Sequence, residues 1–302
     1  MRKKYYAFLV ALAAIMWSLG ALLRRQLYSI PPATIVLYEH IISFLLVAPW
    51  FPKFFKEYKK MNKKDWGVML LIALVGGTLG TFFFTSALVM VENISYSLVV
   101  LLQQTQPIFA VILAVLLLKE KINKKFSLLA IIGLTAAYFL TFPDYKPVIL
   151  GNGEELKAAG LALAAAASWG ATTVFGRIMI KKLSYIALAS LRFLIVIPSV
   201  FILSLILNQT YPITAITASQ WWQMIAIAFV ARTASIVIYY KGLQYTEAKV
   251  ATFAELTNPV GAIIIGYFFL NEKLTSIQWL SAFVLLAAIV VLSTTSPKQL
   301  EE

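Results

Sequence analysis

Cysteine is absent from the sequence, and histidine occurs once, as His40. Without cysteine the chain can form no disulfide framework, no thiolate nucleophile and no cysteine-ligated metal site, and one histidine argues against a multi-histidine site. The Gly-x-x-x-x-Gly-Lys loop that holds ATP phosphates is missing as well. We therefore expect no metal, no cofactor and no use of ATP, and we expect that the protein is not an enzyme.

Charged residues are also scarce, at 13% of 302 residues, whereas 61% of the residues are hydrophobic. A water-soluble protein of this size could hardly cover its surface with so few charges, so the surrounding solvent must be lipid. A membrane-spanning helix needs about 20 mostly apolar residues. The chain can therefore hold about ten spans with short connections, which leaves no room for a soluble domain.

Ten apolar stretches, bounded by charges, prolines or Asn/Gly clusters, are predicted to form the spanning helices. Their ranges are 5–25, 33–52, 66–88, 95–118, 126–142, 158–180, 185–207, 221–241, 250–270 and 277–294. The expected fold class is thus an all-α membrane protein with ten transmembrane helices.

The formal charge of +13 is concentrated in alternate connections between these spans. With the N-terminus inside, the lysine-rich connections fall on the cytoplasmic side, at Lys53, Lys56, Lys59, Lys60, Lys63, Lys64, Lys119, Lys121, Lys124, Lys125, Lys181 and Lys182. The segment 208–220, on the other side, contains no Lys or Arg. This asymmetry predicts that both termini are cytoplasmic in a multi-pass protein of the inner (plasma) membrane, with the lipid bilayer rather than nucleic acid as its partner.

The second half of the chain repeats landmarks of the first half at an offset of 152 residues. The matched pairs are Trp17 and Trp169, Arg25 and Arg177, Thr105 and Thr257, Pro107 and Pro259, Leu118 and Leu270, Glu120 and Glu272, and Lys121 and Lys273. We predict two five-helix repeats, 1–150 and 151–302. Because five is odd, the second repeat is inverted, an arrangement in which two halves can rock about a midplane site. A duplicated scaffold without a transport role is the alternative.

Several motifs in this order resemble those of the drug/metabolite transporter superfamily, and in particular its ten-helix EamA-type exporters. The motifs are Trp-Ser-x-Gly at 17–20, Leu-Arg-Phe at 191–193, Thr-Gln-Pro through Leu-Lys-Glu at 105–120, and Thr-Asn-Pro through Leu-Asn-Glu at 257–272. The resemblance covers nearly the whole chain. It implies export of amino acids or other small metabolites through a central cavity lined partly by the fourth and ninth helices.

Two features depart from the family pattern. The first repeat has Glu39 and His40 where the second has Leu191 and Arg192. The first helix also lacks the membrane carboxylate of the small multidrug members, since Trp17 stands at the corresponding spacing. Proton-coupled cation antiport through that carboxylate is therefore not expected.

Polar residues within the spans are the candidates for a substrate site, because such residues usually face the interior of a bundle. Gln103 and Gln106 share a face of the fourth helix, and their images in the ninth are Glu255 and Asn258. Prolines 107 and 259 each remove a backbone donor and free carbonyls one turn earlier. We expect these faces to line a cavity; the alternative is that the amides only join neighbouring helices.

Glu255 and two arginines are the charged candidates. Glu255 can take a proton or receive an ammonium group, or it can form a fixed ion pair with Arg232 or Lys241. The guanidinium forks of Arg192 and Arg232 suit a carboxylate or phosphate, although the Arg-Phe motif equally favours a structural or gating pair for Arg192. Glu120 and Glu272 fall at helix ends and are expected to be scaffold.

Tyr38, Glu39 and His40 form a polar step in the second helix. Tyr38 is a candidate for substrate contact, and Glu39 and His40 are candidates for proton coupling, since an unperturbed histidine titrates near neutrality. A lone histidine satisfied by a neighbour is the alternative. Trp17 and Trp169 are predicted either to flank the cavity or to pack in the core.

These residues together favour a secondary exporter of a small polar or zwitterionic metabolite, with an amino acid as the preferred substrate. It would work by alternating access, driven by the substrate gradient or by proton exchange. A multidrug exporter of aromatic cations and a membrane-embedded lipid enzyme are the alternatives, and the latter lacks histidine clusters and paired-aspartate metal motifs. The oligomeric state is left open.

Overall fold

A computed structural model describes residues 6–90, 96–141, 153–269 and 275–294, and these parts of the chain are helical and contain no strand. The helices are α1 (Tyr6–Gln26), α2 (Pro32–Tyr58), α3 (Lys63–Val89), α4 (Tyr96–Gln103 and Gln106–Leu118), α5 (Lys124–Thr141), α6 (Gly153–Met179), α7 (Tyr185–Ile206), α8 (Ala218–Leu243), α9 (Ala248–Ala254, Glu255–Thr257 and Asn258–Phe269) and α10 (Ser276–Thr294). Each lies within a few residues of one predicted span.

Seven of these helices are long and apolar enough to cross a membrane, judged over the described residues: α1, α2, α3, α4 from Val99, α6, α7 and α8. In α10 the stretch Ser276–Leu292 is apolar but shorter. The protein is therefore an all-α multi-pass membrane protein, as predicted. That all ten helices span the bilayer remains a prediction.

The prolines of α4 and α9 interrupt both helices at corresponding places. In α4 the helix ends at Gln103 and restarts at Gln106, and in α9 a 3-10 turn, Glu255–Thr257, separates two α-helical pieces. Proline cannot donate to the carbonyl four residues earlier and its ring crowds that turn. The local opening that the sequence predicts before Pro107 and Pro259 is thus present in both halves.

The helices α3 and α8 correspond in the same way. Each begins with a capping box, formed by Asn62 with Asp65 in α3 and by Thr217 with Gln220 in α8. Each then widens into a π-helical stretch, Ile72–Gly80 in α3 and Ile227–Ala234 in α8. Because π-helical turns leave some carbonyls without their usual partner, these stretches can accept hydrogen bonds from neighbouring helices.

Two helix caps tie the halves together. The carboxylate of Glu57 accepts hydrogen bonds from the backbone nitrogen of Ser184 at 2.6 Å and from its hydroxyl at 3.0 Å, at the start of α7. The side-chain oxygen of Gln209, which is 57 + 152, accepts from the backbone nitrogen of Ala33 at 3.1 Å, at the start of α2. Each repeat therefore caps the second helix of the other, as inverted repeats related by a two-fold axis should.

The helices α1 and α6 occupy corresponding central positions. The helix α1 packs against α8 and α9, and α6 packs against α3 and α4, so each first helix lies in the opposite half. A Cβ atom added at Gly170 of α6 would lie 2.9 Å from the carbonyl oxygen of Gln106, and one added at Gly261 of α9 would lie 2.2 Å from the hydroxyl of Ser18. Glycine at these two crossings lets the backbones approach closely.

Replacing Gly170 by alanine should therefore lower the melting temperature of the purified protein, because backbone atoms of α4 cannot move aside for the new methyl group. Overpacking of this kind costs about 1–3 kcal/mol. Gly160, on the exposed side of the same helix, has no atom within 4 Å of such a Cβ, so Gly160→Ala is the matched control. Equal melting temperatures for the two variants would contradict the close crossing.

Candidate functional site

A cavity lies between the two halves, bounded by α1, α3, α4, α6, α7, α8 and α9. Eight residues singled out in the sequence line it: Trp17, Gln103, Gln106, Trp169, Arg192, Arg232, Glu255 and Asn258. Eight others that the sequence did not indicate complete the wall: Arg24, Thr81, Phe84, Thr172, Thr173, Ala231, Ile236 and Tyr239. The structure thus brings the matched polar faces of α4 and α9 to one cavity.

A chain of hydrogen bonds runs along one part of the wall. The amide nitrogen of Gln106 donates to Glu255 Oε2 at 2.5 Å, and Gln103 donates to Gln106 Oε1 at 2.8 Å. On the other side of the carboxylate, the Thr173 hydroxyl lies 3.3 Å from Glu255 Oε1 and receives a hydrogen bond from the Tyr239 hydroxyl at 2.9 Å. The images Gln103 and Glu255 are therefore linked through a single side chain.

Glu255 has no cationic partner among the described residues. Its two predicted partners are engaged elsewhere, since Arg232 pairs with Glu39 and the Lys241 ammonium lies 5.8 Å from the centre of the Tyr185 ring. The fixed ion pair that the sequence left open is thus not formed here. The charge of this buried carboxylate is left to be balanced by a proton or by a cationic group of a bound solute.

A second polar cluster centres on Glu39. Its Oε2 atom accepts from Arg24 Nη2 at 2.7 Å and from Arg232 Nη2 at 2.9 Å, and none of the Glu39 surface is exposed. These bonds join α1 and α2 of the first repeat to α8 of the second. Glu39 itself is not among the cavity-lining residues, but it holds two arginines that are.

His40 lies beside this cluster and is also fully buried. Its Nδ1 atom is 2.8 Å from the carbonyl oxygen of Val36, which can only accept, so Nδ1 must carry a proton. Its Nε2 atom lies 3.3 Å from Arg232 Nη1, which can only donate. In this arrangement His40 is a neutral imidazole satisfied by its neighbours, and its role in proton coupling stays a prediction.

Arg192 has a much weaker partner than the other two arginines of the wall. Its Nη1 atom donates to the Tyr240 hydroxyl at 3.0 Å, and it pairs with no carboxylate among the described residues. The Nε atoms of Arg24, Arg192 and Arg232 are all buried without a hydrogen-bond partner in that part of the chain. The arginine side of the cavity, formed by Arg24, Arg192 and Arg232, therefore keeps unused N–H donors.

Trp17 and Trp169, for which the sequence left cavity lining and core packing open, both line the cavity, and their N–H groups are hydrogen-bonded to protein. Trp17 Nε1 donates to the Ser235 hydroxyl at 2.9 Å, and Trp169 Nε1 donates to the carbonyl oxygen of Gly76 at 3.0 Å, within the π-helical stretch of α3. A second aromatic ring lies beside each indole, Tyr239 at 5.4 Å from Trp17 and Phe84 at 5.0 Å from Trp169. Aromatic surface is thus held rigidly at two places on the wall.

Two candidates lie away from the cavity. Tyr38 packs edge-on against Trp221, with ring centres 5.2 Å apart, and is not a lining residue. Glu120 accepts hydrogen bonds from the backbone nitrogens of Ala248 and Lys249, at 2.9 and 3.0 Å, and so caps the start of α9. Burial raises the pKa of the Glu120 carboxyl, and these two bonds act in the opposite direction. Its image Glu272 lies outside the described residues.

Some of the cavity-lining residues that the sequence analysis did not single out could have been identified from the sequence. Thr172 and Thr173 follow Trp169 by three and four positions, which places all three on one helix face. Arg24, by contrast, stands next to Arg25 at the end of α1 and reads as a basic helix end. Nothing in the apolar sequence around Tyr239 distinguishes it from a core residue.

A buried polar cavity between two inverted helical halves is the arrangement of a secondary transporter. The model of the EamA-like transporter family matches this chain twice, over residues 4–142 and 156–294, and the chain belongs to this family. The two matched segments begin and end 152 residues apart (156 − 4 and 294 − 142), which is the offset read from the sequence. The chain is therefore a multi-pass membrane transporter.

Named relatives and a solved structure agree with this assignment. The chain is 34% identical over 289 residues to the riboflavin transporter ImpX of Fusobacterium nucleatum, covering 95% of this chain and 97% of that protein. It is 24% identical over 304 residues to the uncharacterized transporter YwfM of Bacillus subtilis, covering 99% and 97% of the two chains. One crystal structure matches with a TM-score of 0.75 and 15% identity over 98% of this chain and 99% of the other, a likeness that shows the fold.

Removing the charge of Glu39 should destabilise the protein strongly, because Arg24 and Arg232 would then be buried with no carboxylate. Loss of one partner from a buried pair costs about 3–5 kcal/mol. Glu39→Gln should therefore lower the melting temperature by many degrees. The control is Glu154→Gln, whose partner Lys157 is 62% exposed and whose loss should change little. A Glu39→Gln protein with the same melting temperature as the wild type would contradict the structural role of the cluster.

Proposed function

We propose that this protein carries riboflavin, or a close flavin analogue, across the membrane by alternating access. Such a solute is a planar heteroaromatic ring system with a chain of hydroxyl groups. The observation that supports it is a cavity whose wall combines rigid aromatic surface with a hydrogen-bonded row of amides, hydroxyls and one carboxylate. The name of the Fusobacterium relative points to the same solute.

The aromatic part of the wall suits the ring system. Trp17 with Tyr239, and Trp169 with Phe84, form two pairs of rings within about 5 Å of each other. Both indoles line the cavity and are oriented by their N–H bonds, so they offer aromatic surface to a planar solute, and stacking adds about 0.5–1.5 kcal/mol beyond the buried area.

The polar part of the wall suits the hydroxylated chain. Gln103, Gln106 and Asn258 each offer a donor and an acceptor, as a hydroxyl group also does. These side chains now bond to one another, to Glu255 or to the backbone of α1, so a bound polyol can replace existing bonds without leaving a buried group unpaired. We assign substrate contact to them, to the two tryptophans and to Arg192 and Arg232.

We assign to Tyr38, Glu39 and His40 a supporting role behind the cavity wall. Glu255 is the residue whose protonation would couple a proton to transport. The repeats 1–150 and 151–302 are the rocking halves, with both termini cytoplasmic in the inner membrane. Net export is the direction that the family resemblance implies.

A zwitterionic amino acid is the second candidate. It is favoured by Glu255 and Arg192 on one cavity wall, which could receive an ammonium and a carboxylate group. An aromatic cation is a poorer substrate on electrostatic grounds, because three arginines line the same wall.

The test is saturable flux of radiolabelled riboflavin in proteoliposomes, measured in both directions and challenged with unlabelled riboflavin, amino acids or an aromatic cation. We expect only unlabelled riboflavin to compete. Trp169→Leu should weaken riboflavin binding about tenfold, a loss of about 1.4 kcal/mol. The control is Trp222→Leu, because Trp222 is 71% exposed and lies off the cavity.

Other results would decide against the proposal. Competition by an amino acid, with no response to riboflavin, would support the second candidate, and equal effects of the two tryptophan variants would remove the aromatic wall from binding. The flux should also respond to a pH gradient in the wild type and lose that response in Glu255→Gln. A response retained in that variant would exclude Glu255 as the proton site.

A further inference from the structure

Three guanidinium groups meet at one cavity with too little negative charge to match them. Arg24, Arg192 and Arg232 all line the wall, and each is 4–6% exposed. Among the described residues the only carboxylate that pairs with any of them is Glu39. Arginine keeps its charge in proteins even when buried. The arginine side therefore holds three positive charges against one negative charge.

No other side chain of the wall restores the balance. The oxygens of Glu255 bond to Gln106 and Thr173, and among the described residues Glu255 forms no ion pair with any of the three arginines. His40 is neutral in its hydrogen-bonding arrangement and carries no negative charge in any state. Uncompensated charge at membrane depth is costly, so buried arginines are normally paired.

The three guanidinium groups also lack hydrogen-bond acceptors. The Nε–H groups of all three arginines are buried without a partner in the described part of the chain, and so is Glu39 Oε1. A buried donor left unsatisfied costs about 1–3 kcal/mol. The three donors belong to α1, α7 and α8, so a group that satisfied them would be held from several sides.

We propose that the arginine side of the cavity is an anion site, which takes a phosphate or carboxylate group of the transported solute. Phosphate and carboxylate match the guanidinium fork in charge and geometry, and both can accept from more than one donor. Glu39 acts as the resident anion that keeps Arg24 and Arg232 in place when the site is empty. Arg192, whose one hydrogen-bond partner among the described residues is the neutral Tyr240 hydroxyl, is the arginine most free to receive the incoming group.

This inference rests on the proposed function in one respect, since it specifies the flavin. The phosphate monoester of riboflavin should bind more tightly than riboflavin, because the two share the ring system and differ in the anionic group. Charge-assisted hydrogen bonds to arginine are roughly twice as strong as neutral ones. We expect a preference of about tenfold or more for the ester at low salt, decreasing as the salt concentration rises.

The experiment titrates the purified protein with riboflavin, its phosphate ester and inorganic phosphate, and records flavin fluorescence and the melting temperature. Inorganic phosphate should compete with the ester if the anion is part of the solute. If a free anion fills the site beside a neutral flavin, inorganic phosphate should instead raise the affinity for riboflavin. Either result supports the anion site and identifies its source, whereas an ester that binds no better than riboflavin, with no effect of phosphate, overturns it.

Variants at residue 192 test whether Arg192 binds the anionic group. Arg192→Gln should bring the ratio of the two flavin affinities close to one, Arg192→Lys should retain part of it, and Tyr240→Phe, which keeps the guanidinium, should retain most of it. An unchanged ratio in Arg192→Gln overturns the assignment. If that variant does not fold, the comparison of Arg192→Lys with the wild type decides, because lysine keeps the charge and loses the fork.

The flavin-substrate proposal and the anion-site proposal can fail independently of each other. If neither flavin binds but inorganic phosphate raises the melting temperature of the wild type and not of Arg192→Gln, the anion site stands and the flavin substrate is wrong. If riboflavin binds, its phosphate ester binds no better and inorganic phosphate has no effect on either protein, the flavin substrate stands and the anion site is wrong.

Discussion

The carboxylate of Glu39 is the interaction on which the cavity depends. It lies fully buried and accepts hydrogen bonds from Arg24 of α1 and Arg232 of α8, so one side chain joins both repeats where the cavity wall is charged. Without it, two guanidinium groups would remain in an apolar interior with no counter-charge, and the helices that carry them would be driven apart or towards water. The position of the arginines, and with it the polarity of the wall, follows from this contact.

The two-fold repeat builds the frame, and departures from it build the chemistry. The interrupted helices, the close crossings and the two indoles recur at the 152-residue offset, and the π-helical stretches of α3 and α8 recur 154–155 residues apart (234 − 80 and 227 − 72). The charged cluster does not recur: the images of Arg24, Glu39 and Arg232 are Gly176, Leu191 and Gly80. Related halves are what the proposed alternating access requires, while the asymmetric charges give the cavity a cationic side, at Arg24, Arg192 and Arg232, and an amide side, at Gln103, Gln106 and Asn258.

Much of the fold could be predicted from the sequence, because lipid leaves the backbone few choices other than the helix. Apolar runs fix where helices begin and end, and rare residues at a constant offset reveal the repeat. The faces of α4 and α9 were also predictable, since Pro107 and Pro259 mark the interruption and the polar residues cluster there. Each of these features follows from local sequence or from the internal repeat, without knowledge of how the helices pack.

The pairing of charges was not predictable, because it depends on how each helix is rotated and on which helix lies beside it. In a span that is apolar on all sides, periodicity does not define a buried face. Glu39 was therefore not linked to Arg232 in the sequence, Arg24 could not be separated from its neighbour Arg25, and Tyr38 was expected at a cavity from which it is turned away. Only the packing of α1, α2 and α8 determines these contacts.

We propose that one cavity between the inverted halves opens to each side of the membrane in turn. Thr172 lines this cavity, and the chain has no cysteine of its own, so Thr172→Cys introduces a single thiol there. Its labelling by a membrane-impermeant thiol reagent should be measured in right-side-out and in inside-out vesicles, with Ala13→Cys, a buried position off the cavity, as the control. We predict labelling from both sides, slowed from both by saturating riboflavin or whichever solute is shown to bind. Labelling from one side alone, under every condition, would contradict alternating access.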